Sequence, residues 1–301
     1  MKLSALRYLV AFADGGSISR AAENCGVSQP TLSVALKGLE DQLGVALIAR
    51  HKGHAALTDI GEQVVAQARR ALDETRRIED IVQTGRDRLT GKLRLGVIHT
   101  IAPYLLPELI ASMRVVSPAV QLFIEESMTA LLAVALQSGA VDAAILALPF
   151  ELPGVRVQPL YDEAFRVIVP RNHAWADRTA IKAGELRGAD MLVLKAGNCF
   201  RDQVLEACPD ISHAEGSLQE GHSIETVRCM VASGYGVSVL PKGALRGIYE
   251  NDLVVSLPFE PPEPSRRVAL AWRSDFNRPK AIEAIVEAVS RIDNCAYRYV
   301  N

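Results

Sequence analysis

The stretch AGNCFRDQVLEAC, residues 196–208, sets two thiols, Cys199 and Cys208, nine positions apart with a helix-like run between them. In an unbroken helix nine residues rise about 13 Å. A disulfide needs its Cα atoms within about 7 Å, so these two sulfurs do not touch while the helix is intact. Cys199 follows Gly197 and Asn198, where such a helix would begin. Unpaired backbone N–H groups and the positive end of the helix dipole favour a thiolate there, and the thiolate is the nucleophilic form of cysteine. Three chemistries fit two cysteines: metal ligation, redox exchange, or none, the pair being unrelated. No close C-x-x-C or Cys/His set accompanies them to complete a metal site, so no metal and no cofactor is expected.

The remaining cysteines, Cys25, Cys229 and Cys295, read as small buried apolar residues. A chain of 301 residues, 49% hydrophobic and 23% charged, has enough apolar surface for two or three packed units and is not compositionally disordered. No apolar run approaches the roughly 18 residues of a membrane span. The opening MKLSALRYLVAFADGG starts like a signal peptide, but Arg7 and Asp14 break its apolar run, and it reads as a mature helix. The expected compartment is the cytoplasm, where a disulfide is more often a switch than a staple. The net charge of −2 decides nothing about nucleic acid. Residues 1–58 carry six Lys and Arg against four Asp and Glu, a weak basic bias.

Two elements must carry any DNA-directed function. Leu6, Leu9, Val10 and Ala13 form a helical stripe that Asp14-Gly15-Gly16 ends. Ser17 caps a second helix, SISRAAENC, and Cys25-Gly26-Val27 is a tight turn. Ser28 caps a third, with Pro30 tolerated in its first turn and Leu32, Ala35, Leu36, Leu39 and Leu43 on its buried face. The opposite face offers Gln29, Thr31, Ser33 and Lys37. Two short helices about a glycine turn, with a polar leading edge on the second, describe a helix-turn-helix. Its hydroxyl and amide groups suit bases or phosphates, and Lys37 suits a phosphate. The stretch HKGHAAL reads as a hairpin wing that brings Arg50 and Lys52 near the DNA backbone.

Thr58 then caps a long helix. Ile60, Val64, Ala68, Ala71, Thr75, Ile78 and Val82 recur at steps of three and four, a heptad-like seam about 40 Å long. With no core of its own segment to bury it, the seam predicts a homodimer. Its two reading heads would then sit about 34–36 Å apart on DNA, or a multiple of that.

From Lys92 the pattern alternates strand and helix: KLRLGVI, PYLLPELIASMRVVSP, QLFIEES, TALLAVALQSG and VDAAILAL, then MLVLKAG, FRDQVLEA, IETVRCMVASG, GVSVLP, RRVALAW and PKAIEAIVEAVSRI. Alternation implies a parallel sheet. The expected division is a winged helix-turn-helix domain over 1–58, a linker and dimerisation helix with a hinge over 59–91, and an α/β effector domain over 92–301. That domain is expected to split into one subdomain over 92–162 and 267–301 and another over 163–266. Ligands of such sheets bind at the carboxyl ends of strands, in the crevice between units.

SISRAAENCGVSQPTLSVALKGLEDQLGVALIAR followed by LTDIGEQVVAQARRAL resembles the N-terminal signature of LysR-type transcriptional regulators, densely over residues 1 to about 90. GVIHTIAPYLLP, LQSGAVDAAILAL and above all GNCFRDQVLEAC resemble the hydrogen-peroxide-sensing members of that family. The resemblance implies an N-terminal all-α winged helix-turn-helix with a long linker helix, and a C-terminal α/β effector domain of two periplasmic-binding-protein-like subdomains. It implies double-stranded DNA and hydrogen peroxide as partners, a homodimer assembling to a homotetramer, room for a contact with RNA polymerase, and a regulator rather than an enzyme. It assigns DNA contact to Ser28, Gln29, Pro30, Thr31, Ser33, Lys37, Arg50 and Lys52.

It further implies that Cys199 attacks peroxide and that Cys208 resolves the resulting sulfenic acid as a disulfide. Such a bridge would dissolve the helix between them. Thr100, Thr129, Arg266 and Asp202 fall on the positions that surround the reactive cysteine in these relatives: the threonines to hold peroxide, Arg266 to stabilise thiolate and leaving group, Asp202 to bond the backbone or a nearby cation. The chain departs from the pattern at one place. Histidine usually precedes the reactive cysteine, and here it is Asn198, which donates a hydrogen bond but takes up no proton near neutral pH. The departure implies an altered thiolate environment and a shifted oxidant preference. Two other readings stand beside this one: a regulator answering a small organic ligand in the inter-subdomain crevice, and a thiol peroxidase.

Overall fold

The structure, a computed structural model, describes all residues except 52–53, 85–88, 210–217, 248, 249, 251, 295 and 301, and omits the side chains of 50, 51, 54, 76, 77 and 79–84. The expected Lys52, Arg50 and Val82 side chains and Cys295 therefore lie outside the description.

The chain divides into two compact units near residue 86. In the first, α1 (Leu3–Gly15), α2 (Ile18–Cys25) and α3 (Gln29–Leu43) pack around Leu9, Phe12, Ala21, Leu32, Leu36 and Leu39. The caps are those the sequence specifies: the hydroxyls of Ser17 and Ser28 accept from the N–H groups of Arg20 and Thr31, each at 3.3 Å, contacts worth about 1 kcal/mol apiece. β1 (Ile48–His51) and β2 (His54–Leu57) form the antiparallel wing, Ile48 opposite Leu57. Thr58 closes the entry to α4 (Asp59–Thr84) by accepting from Gly61 N–H at 3.0 Å.

The seam of α4 is not the unbroken unburied stripe that its spacing predicts. Ala68 of the seam is buried in the core of the N-terminal domain itself, together with Val65 beside the seam, and Val64 packs partly against that core, because α4 lies against α1. The exposed seam residues are Ile60, at 48%, and Ile78, at 61%. Leu43, expected in the buried face of α3, is largely exposed at the last residue of that helix.

The second unit is built on a ten-stranded mixed sheet among the described residues. The first half holds β3 (Gly91–Ile98), α5 (Ala102–Val116), β4 (Val120–Ser127), α6 (Thr129–Ser138) and β5 (Ala143–Ala147), with β3 parallel to both β4 and β5. The second half holds β7 (Met191–Leu194), α7 (Cys199–Ala207), β8 (Leu218–Gly221), α8 (Ile224–Ala232) and β9 (Val237–Pro241), with β7 parallel to β8 and β9.

The sheet is not wholly parallel, as the alternation predicts. β6 (Val155–Pro170) and β11 (Ser265–Arg273) run antiparallel to each other, and β11 is antiparallel to β5 as well. β6 joins the halves. Through Ala164 it pairs with β11, and from Phe165 to Ile168 with β9. β10 (Val254–Pro258) extends its second part, and β12 (Tyr297–Tyr299), which follows α9 (Pro279–Ser290), borders its first. The sequence reading passes over β6, β8, β10 and β12.

Cys229 corrects another expectation. It is exposed, because the buried stripe of α8 is Ile224, Val227, Arg228 and Val231. Position 229 lies about 100° further round the helix from 228.

Candidate functional site

In the N-terminal unit, Ser28, Gln29, Pro30 and Thr31 are exposed and Ser33 half-exposed at the start of α3, and Lys37 is exposed farther along it. Ser19 of α2 donates to Gln29 Oε1 at 3.2 Å, and the hydroxyls of Ser28 and Thr31 meet at 2.8 Å. These bonds present a polar helix N-terminus that suits phosphate oxygens and base edges. Leu32, Leu36 and Leu39 occupy the buried face of α3 and hold that edge outward.

In the C-terminal unit, loops at the carboxyl ends of three strands converge, two from the parallel set of the first half of the sheet and one from that of the second. They follow β3 (Ile98), β4 (Ser127) and β7 (Leu194). Gly197, in the loop after β7, adopts φ +91°, a conformation that L side chains rarely take. This turns the chain into α7, whose first residue is Cys199 and whose C-cap is Cys208. The two thiols thus stand at opposite ends of one continuous helix, Cys199 half-buried and Cys208 buried. Asn198 occupies the N-cap position and makes no capping bond with its side chain.

The hydroxyl of Thr129, first residue of α6, donates to Cys199 Sγ at 3.4 Å. Ile98, His99, Ser127, Met128, Thr129, Gly197, Asn198 and Cys199 enclose a cavity of about 10 Å³, the room of about one water-sized molecule. A larger surface depression of about 700 Å³, lined by Leu148, Pro149 and Arg267 among others, includes neither sulfur.

Thr100 and Arg266 do not line that cavity. They sit behind it, fully packed. Arg266 Nη1 donates to Thr100 Oγ1 at 3.1 Å and Nη2 to Thr100 O at 2.8 Å. Arg266 Nε donates to Glu163 Oε2 at 3.0 Å, Nη2 bonds the Tyr104 hydroxyl, and the guanidinium lies 5.0 Å from the centre of the Phe200 ring. Glu163 also accepts from Tyr104 Oη at 2.9 Å and from Gly243 N–H at 2.9 Å. A Cβ at Gly243 would stand 2.5 Å from that carboxylate, so glycine permits the approach.

Burial by itself would pull the Arg266 guanidinium down. Tyr104, Glu163, Tyr161 and Cys199 around it outweigh that and raise it above its ordinary value, so it stays charged. Burial pushes the Tyr104 phenol well up, opposed by Arg266, so it stays a hydrogen-bonding phenol. The Arg266 guanidinium therefore stands against the ring of Phe200, the residue that follows Cys199 on α7.

Asp202 is exposed one turn into α7 and is not part of the cavity lining, so its position is that of a first-turn acid favoured by the helix dipole. The sequence reading missed Glu163, Tyr104 and His99. A buried arginine needs partners for its charge and its N–H groups, but nothing local to Arg266 selects Glu163, 103 residues away. Among the described residues, no cluster of three or more His, Cys, Asp or Glu is placed to hold a metal ion, and no helix is long and apolar enough to cross a membrane.

Residues 86–292 match the LysR substrate binding domain, and residues 3–62 the bacterial regulatory helix-turn-helix protein family of lysR type. The chain is 36% identical over 294 residues to the DNA-binding transcriptional dual regulator OxyR of Escherichia coli K12, covering 97% of this chain and 96% of that protein. Full-length OxyR from Pseudomonas aeruginosa is 42% identical and superposes with a TM-score of 0.79, covering 100% of this chain and 99% of the other. An OxyR mutant from Corynebacterium glutamicum, solved with hydrogen peroxide bound, is 31% identical with a TM-score of 0.65, covering 96% of this chain and 92% of that one.

Proposed function

This chain belongs to the LysR family of bacterial helix-turn-helix regulators, and on that premise we propose that it is a DNA-binding transcriptional regulator that senses hydrogen peroxide through Cys199 and Cys208. The observation that carries the reading is the placement of Cys199 at the first residue of α7, beside the Thr129 hydroxyl and facing a cavity of about 10 Å³, with Cys208 ending the same helix.

The Cys199 thiolate attacks one oxygen of peroxide. The S–O bond forms as the O–O bond breaks, sulfur gives up two electrons, and hydroxide leaves to be protonated to water. Cys208 thiol then attacks the sulfenic sulfur, forming the S–S bond and releasing a second water. The thiolate is supported by the free N–H groups at the start of α7, the Thr129 hydroxyl and the buried Arg266 charge. Thr100 acts through Arg266 in this reading, and Asn198 lines the cavity without supplying a base.

The bridge demands that α7 unwind, since the Cα atoms start about 13 Å apart and must come within about 7 Å. That change alters the effector domain and, through it, DNA binding. The reading extends to a homodimer joined along the exposed part of α4 at Ile78, two dimers forming a tetramer on promoter DNA within reach of RNA polymerase. Its setting is the cytoplasm, where a reversible disulfide serves as a signal.

An organic effector in the same crevice would need a pocket of about 300 Å³ or more, which the space at Cys199 does not offer. A thiol peroxidase would have no use for the reading head, and the relatives named above are regulators. Peptide mapping by mass spectrometry after one equivalent of peroxide tests the proposal. The expected product is a Cys199–Cys208 linked peptide, absent in Cys199→Ser. Intact regulation in Cys199→Ser would instead overturn the redox trigger.

A further inference from the structure

His99, a titratable residue, is among those that line the Cys199 cavity, and the thiol chemistry described above does not use it. His99 follows β3 directly, and its backbone N–H donates to Ser127 O at 3.3 Å, which continues the pairing of β3 with β4 by one residue. Its Nδ1 lies 3.0 Å from Glu126 Oε1 on β4. A carboxylate can only accept, so the neutral ring carries its proton on Nδ1 and leaves the Nε2 lone pair free. Cys199, Asn198 and Thr129 line the same cavity of about 10 Å³, so His99 and the sulfur border one small space. The charged or titratable groups around His99 are Glu126 on β4, Cys199 at the start of α7, and Arg266, which bonds the neighbouring Thr100 from behind. β5, the other strand beside β3, carries only apolar residues.

Resting on the peroxide-sensing reading, we propose that His99, oriented by Glu126, accepts the proton of the Cys199 thiol and returns it to the departing hydroxide. The thiol proton passes to His99 Nε2. The thiolate attacks one peroxide oxygen, which keeps its hydrogen as the S–OH group, and the O–O bond breaks. The second oxygen leaves as hydroxide and takes the proton from Nε2 to become water. Sulfur is oxidised by two electrons, peroxide is reduced by two, and the imidazole ends as it began. Glu126 is a positioning residue that fixes the tautomer, as in other base–orienter pairs. Asn198, beside the sulfur, neither takes up nor releases a proton near neutral pH, so His99 supplies this chemistry from the facing strand instead.

The side chains of His99 and Glu126 are 44% and 43% exposed. A contact so open to water contributes little to folding, and substitutions there leave the fold intact. The test is the second-order rate of Cys199 oxidation by hydrogen peroxide in the full-length reduced protein. It is followed by rapid alkylation and mass spectrometry across pH, in the parent, His99→Gln, Glu126→Gln, and His99→Gln with Asn198→His. His99→Gln is expected to react about tenfold or more slowly near neutral pH and to lose one ionisation from its rate profile. Glu126→Gln is expected to shift that ionisation, and Asn198→His to restore the rate. A His99→Gln protein with the parent's rate, or with a slower rate but the parent's pH profile, overturns the proton transfer and leaves the peroxide reading standing. A parent whose Cys199 does not react with peroxide overturns both.

Discussion

Arg266 and Glu163 meet at 3.0 Å with neither side chain exposed to solvent. Glu163 sits on β6 just before that strand exchanges β11 for β9, and Arg266 on β11 beside it. The remaining partners come from three further places in the fold: Thr100 and Tyr104 from the turn before α5 and its first turn, Gly243 after β9, and the Phe200 ring from α7. The pair thus ties the sheet's two halves together and sets the Arg266 guanidinium against the Phe200 ring in the first turn of α7. A buried ion pair is not a strong source of stability in itself, but separating it is costly.

Glu163→Ala leaves the Arg266 charge buried without its counter-ion, and should lower unfolding free energy by about 3–5 kcal/mol. Glu163→Gln retains an acceptor for Gly243 and Tyr104 and should cost less. Urea denaturation of both against the parent measures the difference, and a loss below about 0.5 kcal/mol in the alanine variant would show that the cluster does not bind the halves together.

Oxidation should remove α7 as a helix. In the reduced protein the amides of residues 203–207 and the Cys208 N–H, which donates to Val204 O at 2.9 Å, are hydrogen-bonded within that helix. After peroxide treatment their hydrogen exchange should accelerate by a hundredfold or more, about 3 kcal/mol of lost protection, while β3 and β5 stay protected. Equal protection in both forms would mean that the bridge does not form or forms without unwinding.

Thr129→Val removes the hydroxyl that donates to Cys199 Sγ and keeps the side-chain shape. A hydrogen bond to a charged acceptor is worth about 1.5–3 kcal/mol, so alkylation of Cys199 by iodoacetamide near neutral pH should slow about tenfold. Thr129→Ser, which keeps the donor, should stay close to the parent. Identical rates in all three would remove Thr129 from the thiolate's support.

Lys37 is exposed on α3 beyond the polar leading edge. Lys37→Ala should weaken binding to specific and unrelated duplexes alike. It should also reduce the slope of log affinity against log salt by about 1, the signature of one lost phosphate contact. Fluorescence anisotropy over a salt series measures it; a loss confined to one sequence would instead assign Lys37 to a base.

What could be read before folding was local. Ser17, Ser28 and Thr58 announce helix starts because a cap is settled within three or four residues. The leucines of α3 announce a face because helical period is a short-range property. The separation of Cys199 and Cys208 along α7 follows from rise per residue alone. The seam of α4 shows the limit of that logic. Its spacing was legible, but whether Ala68 faces a second copy or α1 depends on where the rest of the domain lies, and it is buried in its own core.

The sequence by itself determined the reading head, the long helix and a thiol at each end of α7, since propensity, capping and periodicity act between near neighbours. Only the tertiary structure decided that β6 serves both halves of the sheet, that Glu163 neutralises Arg266 from 103 residues away, that Cys229 faces solvent, and that His99 shares a cavity with Cys199. Burial and charge pairing belong to the packed assembly: a side chain's surroundings come from strands brought together in space, and no short stretch of chain carries that information.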